Sequence, residues 1–465
     1  MLAPGAAVAL AVVAMSNLLL AWDLTGIAIA LPSLDAAFDP SASMLMWLQN
    51  AFPLALAACA PLASFPVRLI GIRWTFTAAA ALMVLAAGAT AAAPGADVFL
   101  LGRLLLGAAS AVAVAAGLAL LTETRDTAAL SGAIGVTTAF TAVGLALGPL
   151  VSGLLIDLLS WRGVFAVHAV LALVILLVSL PLLRTGRGDG EKAPSTSAVV
   201  ALLLSTAILT GTVGLQTLAE LPLLGGILVV ATVAALLCFA VAERRVSAPF
   251  IPGLLRRSRA FVGTLAIGAL VYAGVAASQP FQSLLLQRAG WSPTAAGLFL
   301  VAVTGGIAVG SGVSSRMVSR VGLRTTVVFG LALAATGTAL LIGMSAEPLG
   351  IALAAAGNII SGFGVGIASP QALSWGMSAA EDPSTTAPAA TAQTTARRAG
   401  SSYGYALFSL LPAFGMSIST ATPVMFCGAT VLMVAALLAA LRARSDRVLT
   451  DARDTRSAES DPSPA

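Results

Sequence analysis

The stretch Leu18-Leu-Leu-Ala-Trp-Asp-Leu-Thr-Gly-Ile-Ala-Ile-Ala-Leu-Pro32 decides the fold, because it sets one carboxylate, Asp23, inside an otherwise apolar run. From about Ala6 to Leu31 the chain carries no other charge. That length exceeds the ~20 residues needed to cross a hydrocarbon core. A charged side chain at such a depth costs at least ~2.5–3.5 kcal/mol, so it normally faces a protein interior and has a job there. Asp23 precedes Pro32 by nine residues, or about 13 Å at 1.5 Å per residue.

Composition agrees with that reading. Of 465 residues, 58% are hydrophobic and only 9% are charged, too little charge for the surface of a soluble domain, so the chain is read as a polytopic helical membrane protein. The 45 glycines suit close helix contacts, where small residues let backbones approach. Cys59, Cys238 and Cys427 all lie in apolar runs without a CxxC pair, which supports neither a metal nor a disulfide. The start, Met1 to Leu20, lacks a basic leader and a cleavage site and reads as a retained first span.

Fourteen spans are expected, at about 6–31, 45–66, 74–94, 98–120, 131–156, 163–183, 196–217, 223–242, 260–281, 294–314, 324–344, 349–372, 390–413 and 421–441. The formal charge of +5 could suggest nucleic acid, but its distribution decides otherwise. With both ends inside, all of the 24 Lys and Arg residues except Arg103, Arg162 and Arg288 fall on the cytoplasmic side, as the positive-inside rule requires. The expected organisation is a six-helix bundle over 1–183, a cytoplasmic linker over 184–195, and two inserted helices with a connector over 196–258. A second six-helix bundle follows over 259–441, then a disordered cytoplasmic tail over 442–465. Ala379 to Pro388 reads as a polar cytoplasmic loop. Ser64 to Arg73 can be laid over Ser315 to Arg324, with Gly71 and Arg73 matching Gly322 and Arg324. This marks an internal repeat of parallel halves.

Two further spans carry chemistry. Arg103 lies in the fourth, about five residues or ~8 Å from its outer end, within reach of Asp23. Its charge would lower the Asp23 pKa while desolvation would raise it, a balance that a proton carrier can exploit and that a fixed structural ion pair would also show. The fifth span reads Gly144-Leu-Ala-Leu-Gly-Pro-Leu-Val-Ser-Gly153. Gly144, Gly148 and Gly153 give it a smooth face, and Pro149 bends it by removing a backbone hydrogen bond.

Taken in order, these elements resemble the fourteen-span drug:proton antiporters of the major facilitator superfamily. The resemblance rests on Asp23 to Pro32, on Trp47 and Phe52, on Arg103 and Gly107, and on Gly144, Gly148, Pro149 and Gly153. It continues through Trp161 to Phe165, Glu243 to Arg245 with Pro249, Leu254 to Arg256, Gln287, Gly290 to Pro293, Ala296 with Gly297, and Arg397 to Gly400. It implies an all-α major facilitator fold, two six-helix bundles with two helices inserted between them. It also implies proton-coupled efflux of amphipathic drugs or antibiotics by alternating access. Asp23 and Arg103 would serve proton coupling, the fifth-span glycines and Pro149 the antiporter motif, and Arg68, Gly71 and Arg73 the cytoplasmic gating loop.

The implied cavity lies between the halves, with Asn17, Trp22, Gln49, Asn50, Phe52, Tyr272, Gln279, Phe281 and Gln282 as candidate liners. Asp23 is the one carboxylate firmly inside a span, which leans the expected cargo towards neutral, zwitterionic or weakly charged compounds. Three positions depart from the family pattern. Arg68 stands where the family carries Asp, a change that Glu381 or Asp382 could offset. Leu106 stands where it has Gln, and His168 where it often has Asn. The alternatives are an exporter of an endogenous metabolite or peptide-like product and a transporter-like sensor that moves nothing. An enzyme is the least expected reading, since the sequence shows no Walker loop, nucleophile constellation or metal-ligand cluster. No cofactor and no metal are expected. The partners are a small-molecule substrate, protons and the lipid bilayer, without nucleic acid. A monomer in the inner (cytoplasmic) membrane, multi-pass with both termini cytoplasmic, is expected.

Overall fold

The computed structural model describes residues 4–122, 127–181, 197–276, 278–345, 347–378 and 383–443, and they are helical apart from short connections. Helix α1 (Pro4–Phe38) runs from a near face to a far face, and α2 (Ala42–Cys59), extended by a 3₁₀ turn at Ala60–Leu62, returns. The short α3 (Ser64–Ile70) lies on the near face before α4 (Ile72–Ala91), α5 (Ala96–Thr122), α6 (Thr127–Leu159) and α7 (Trp161–Ser179). A hairpin of α8 (Ala198–Thr217) and α9 (Pro222–Arg245) and the short α10 (Gly253–Arg257) come next. The rest comprises α11 (Arg259–Ala276), α12 (Ser278–Arg288), α13 (Pro293–Val321), α14 (Leu323–Leu340), α15 (Pro348–Met377), α16 (Pro383–Ala413) and α17 (Ile418–Arg442).

Each expected span falls on one of these helices, α11 and α12 together making the ninth. Among the described residues, thirteen helical segments are long and apolar enough to cross a membrane. The exception is α16, whose Ser, Thr and Arg content dilutes its hydropathy although it packs along α11, α2 and α8. Two boundaries differ from expectation. Pro32 does not end α1, which continues to Phe38. The expected loop before the thirteenth span is helical from Pro383 onward, and its Ala389 and Ala392 flank pack with Val200, Phe250, Leu255 and Phe261. Residues 184–195, Glu381, Asp382 and the tail from 444 lie outside the described residues.

The repeat read from the sequence has a backbone counterpart. Gly71 ends α3 at φ 84°, ψ 161°, and Gly322 ends α13 at φ 83°, ψ 162°. This left-handed corner is open to glycine without a Cβ penalty. Four residues on, Thr75 and Thr326 donate to the Gly71 and Gly322 carbonyls at 2.7 and 2.8 Å. The same turn is therefore built twice.

Helices α1, α2 and α4–α7 pack on one another, as do α11–α17, and α8 pairs with α9 while leaning on both α2 and α16. The two groups meet chiefly along α6 with α13, α2 with α16, and α1 with α12. Most contacts described between them lie from mid-helix to the far face. Arg288 pairs with Asp35 at 3.2 Å, Gln287 donates to the Ile29 carbonyl at 3.0 Å, and the Thr294 amide donates to Asp157 at 3.0 Å. Leu31, Leu45, Met46, Leu284 and Ile418 form an apolar plug at the same level.

Candidate functional site

Asp23 lies just past the middle of α1, and Arg103 lies in the far-face third of α5. Their side chains meet where the helices cross. One guanidinium nitrogen, Nη1, sits 2.5 Å from both Asp23 carboxylate oxygens. Arg103 is fully buried and Asp23 is 4% exposed. A buried pair of this kind gains Coulomb energy in low dielectric but loses the hydration of two ions, so it is weak evidence for stability. Removing one partner would strand the other at a cost of roughly 3–5 kcal/mol.

The remaining guanidinium surface is covered by rings rather than acceptors. Its carbon lies 4.9 Å from the Phe52 ring centroid and 5.7 Å from that of Phe165, a cation–π arrangement that partly offsets desolvation. Nε and Nη2 make no hydrogen bond. Trp22, one residue before the carboxylate, donates to Ser152 of α6 at 2.8 Å and packs against His168 of α7, centroids 5.1 Å apart and ring planes tilted by 39°. His168 is thereby a packing partner of Trp22. From the other helix group, Tyr405 of α16 comes beside Gln49 and within electrostatic reach of Arg103. Neither Gln49 amide atom completes a well-formed hydrogen bond. The site is thus a buried, aromatic-walled ion pair with spare donors around it.

The α6 glycines place backbones against it. A Cβ on Gly144 would strike the Leu18 carbonyl of α1, and one on Gly148 the Thr25 hydroxyl. On the other flank, Gly153 meets Pro293 of α13, and Gly297 of α13 meets the Pro149 carbonyl. Pro149 has no N–H for the Leu145 carbonyl. The Thr25 hydroxyl lies 3.4 Å from that orphan acceptor, shared with the Ala21 and Trp22 carbonyls. Thr304 of α13 donates to the next carbonyl, Ala146, at 3.2 Å. One kinked helix is thereby seated on α1 and α13 at once.

Of the candidate liners, Trp22, Gln49 and Phe52 surround the ion pair. Asn50 instead donates to Gln216 of α8 at 2.9 Å and to the Ser402 carbonyl of α16 at 3.3 Å. Thr212 of α8 and Ser402 join the same cluster, hydroxyls 3.1 Å apart. Gln282 makes a reciprocal amide pair with Asn358, at 2.7 and 3.2 Å. Tyr272 contacts Ser369 at 3.4 Å and lies under Arg397. Asn17 is half-buried six residues below Asp23, while Gln279 and Phe281 are buried on α12. Arg68 is exposed on the near face, its guanidinium over Phe65, and Arg73 opens α4 after Gly71. Among the described residues no group of His, Cys, Asp and Glu could hold a metal. Sequence reasoning missed Ser152, Gln216, Ser402 and Tyr405. A neutral amide in an apolar run, as Gln216 is, was the available signal.

Known proteins bear on this arrangement. Curated relatives include a tetracenomycin C resistance and export protein of Streptomyces glaucescens, 29% identical over 72% of this chain and 62% of its own length. Another is a puromycin resistance protein of Streptomyces alboniger, 30% identical over 77% of this chain and 72% of its own. The chain thus spans less than two thirds of the first of these. Among solved structures, a POT family transporter in complex with 5-aminolevulinic acid superposes with a TM-score of 0.69 at 15% identity, covering 93% of this chain and 94% of that one. The xylose transporter XylE from E. coli gives 0.63 at 14%, covering 93% and 98%. At these identities the solved structures speak for the fold alone. The family model described as Major Facilitator Superfamily matches residues 13–405, and with the helix arrangement above it places this chain in that superfamily of membrane transporters.

Proposed function

We propose that this protein exports amphipathic drugs or antibiotics in exchange for protons, by alternating access between the α1–α7 and α11–α17 bundles. The observation that carries the reading is the ion pair of Asp23 and Arg103, both buried and 2.5 Å apart. Its proton balance depends on how the surrounding helices stand. With the carboxylate ionised, the pair is self-compensating. Protonation of Asp23 cancels it and leaves the Arg103 charge desolvated, a state that a bound proton and a rearranged cavity must stabilise together. Because the bundles touch mainly from mid-helix to the far face, the reading takes this as the state open to the near face. The near face is taken as cytoplasmic, with both termini on it and α16 as the fourteenth crossing. Cargo enters there as Asp23 releases its proton. The bundles then rock about the α6–α13 contact, and a proton taken from outside resets them.

The relatives named for tetracenomycin C and puromycin resistance support the cargo class. The test is dye-monitored proton release in inverted vesicles challenged with a panel of amphipathic antibiotics, wild type beside Asp23→Asn. Cargo-dependent proton movement is expected in wild type and a loss of at least about tenfold in the variant. Equal signals from both would remove Asp23 from the mechanism.

A further inference from the structure

Two adjacent arginines of α16 differ in how they are satisfied. Arg397 donates to the Ser369 carbonyl of α15 at 2.6 Å, and its guanidinium carbon lies 5.6 Å from the Tyr272 ring centroid. It is anchored within its own bundle. Arg398, one residue on, is half-buried at the middle of the 31-residue helix, and no hydrogen bond or ion pair reaches it from any described residue. An arginine at that depth is costly without a partner and marks a pathway more often than it decorates a surface.

Its direction follows from the helix period. Arg398, Ser402 and Tyr405 are spaced i, i+4, i+7 and so share one face. Ser402 meets Asn50 of α2, and Tyr405 meets Gln49 and approaches Arg103. The opposite face belongs to α11, where Gly400 and Gly404 touch Ala269 and Ala273. Arg398 therefore points between the bundles. It lies about 10 Å nearer the near face than Tyr405, at 1.5 Å per residue.

Among the described residues no carboxylate is available to it there. The ionised side chains described in the molecule are spoken for or distant. Asp23 is held by Arg103. Glu243 accepts from the Phe250 and Ile251 amides. Asp35 and Asp157 are engaged at the far face, and Asp39, Asp97, Glu220 and Glu347 sit at the far-face helix ends.

We propose that Arg398 is the anion-recognising residue of the transport path, and that the cargo carries an acidic group, a carboxylate or an ionised phenol or enol. The inference rests on the exporter reading above and narrows its cargo. The acidic group meets the Arg398 fork first on entry from the near face, where charge-assisted bonds are strongest in a partly desolvated site. Ser402 and Tyr405 continue the same face towards the ion pair, and the apolar body of the cargo lies against Phe52 and Trp22.

Binding separates this proposal from the transport reading, since it needs no gradient. Purified full-length protein in detergent is titrated with 1-pyrenebutyric acid and, separately, its methyl ester, following the pyrene fluorescence. Wild type should bind the acid at least about tenfold more tightly than the ester. Arg398→Gln should abolish that preference while holding ester affinity within about twofold, and Arg398→Lys should keep part of it. An acid preference unchanged in Arg398→Gln, or an equal loss for both probes, overturns the proposal. So does a wild type without preference, a result that needs no variant to fold. Wild-type acid preference together with absent proton flux in vesicles would instead overturn the exporter reading and leave the anion site standing.

Discussion

Of the seams that join the two bundles, the two most extensive are opposite in character. Along α6 and α13 the contact is mostly backbone on backbone, with Gly153 against Pro293 and Gly297 against Pro149; Thr304 crosses it at mid-seam and Thr294 meets Asp157 at its far-face end. Along α2 and α16 the contact is made by side chains, with Asn50, Ser402 and the α8 residues Gln216 and Thr212 in one polar cluster. A glycine seam has no rotamers with which to adapt, so it permits rolling about a line and little else. A seam of amides and hydroxyls can exchange partners, because each group has other donors and acceptors within a turn. The same pair of bundles therefore has a stiff edge and a re-pairable edge, and alternating access would use the first as pivot and the second as catch.

The largest effect is expected from breaking the stiff edge. A leucine at Gly297 must occupy the place of the Pro149 backbone, which no side-chain movement can vacate. Overpacking of this kind costs about 1–3 kcal/mol, and here it also pries α13 off α6. Gly297→Leu should reach the membrane in reduced amount and lose transport by more than about tenfold per molecule, measured as drug efflux normalised to membrane-inserted protein. Gly297→Ala should fall between. Wild-type efflux from the leucine variant would show that the seam is no pivot.

The polar edge should respond less and in a different currency. Asn50→Ala removes the donor to Gln216 and the Ser402 carbonyl, leaving two buried acceptors facing each other. Each interhelical bond in a bilayer is worth about 0.6 kcal/mol on average and about 1.7 at most, so a loss of about 1–2 kcal/mol is expected. Thermal unfolding of the purified protein reads it directly, and Gln216→Leu in the same background should add less than its single-variant cost. Strict additivity would mean that Asn50 and Gln216 do not act together.

These two seams also differ in how far the sequence reveals them. Gly144, Gly148, Pro149 and Gly153 stand on one short stretch, and a proline among small residues signals close, kinked packing before any coordinates exist. Asp23 and Arg103 were legible for a related reason: an ion inside an apolar run must find a partner, and the candidates are few. The Gly71 and Gly322 corner was legible as a repeat because its conformation depends on one residue type. The polar seam was not. Asn50 and Gln216 are 166 positions apart, and nothing local fixes where an inserted hairpin will lie. Asn50 accordingly reads as a cavity liner from sequence, whereas its amide is engaged with α8 and α16. The first turns of α16 read as a loop because serine, threonine and proline dominate them, and the packing of Ala389 and Ala392 against apolar residues of α8, α10 and α11 is a tertiary contact that no local pattern shows.

The smallest predicted effect isolates what the mid-seam hydroxyl of Thr304 adds to the stiff edge. Thr304 is 3% exposed, and its hydroxyl lies 3.2 Å from both the Ala146 carbonyl across the seam and the Val301 carbonyl of its own helix. One proton serves two acceptors, and the intrahelical one survives as an alternative whenever the seam shifts. Thr304→Val keeps the branched shape and deletes the proton, so it should cost about 0.5 kcal/mol in unfolding and change efflux by less than about twofold. If glycine contact alone makes the pivot, valine will be almost silent in transport while leucine at Gly297 is not. A Thr304→Val transporter as damaged as Gly297→Leu would instead assign the seam's function to that hydrogen bond. The two edges would then be alike, both held by polar groups that let go as the bundles move.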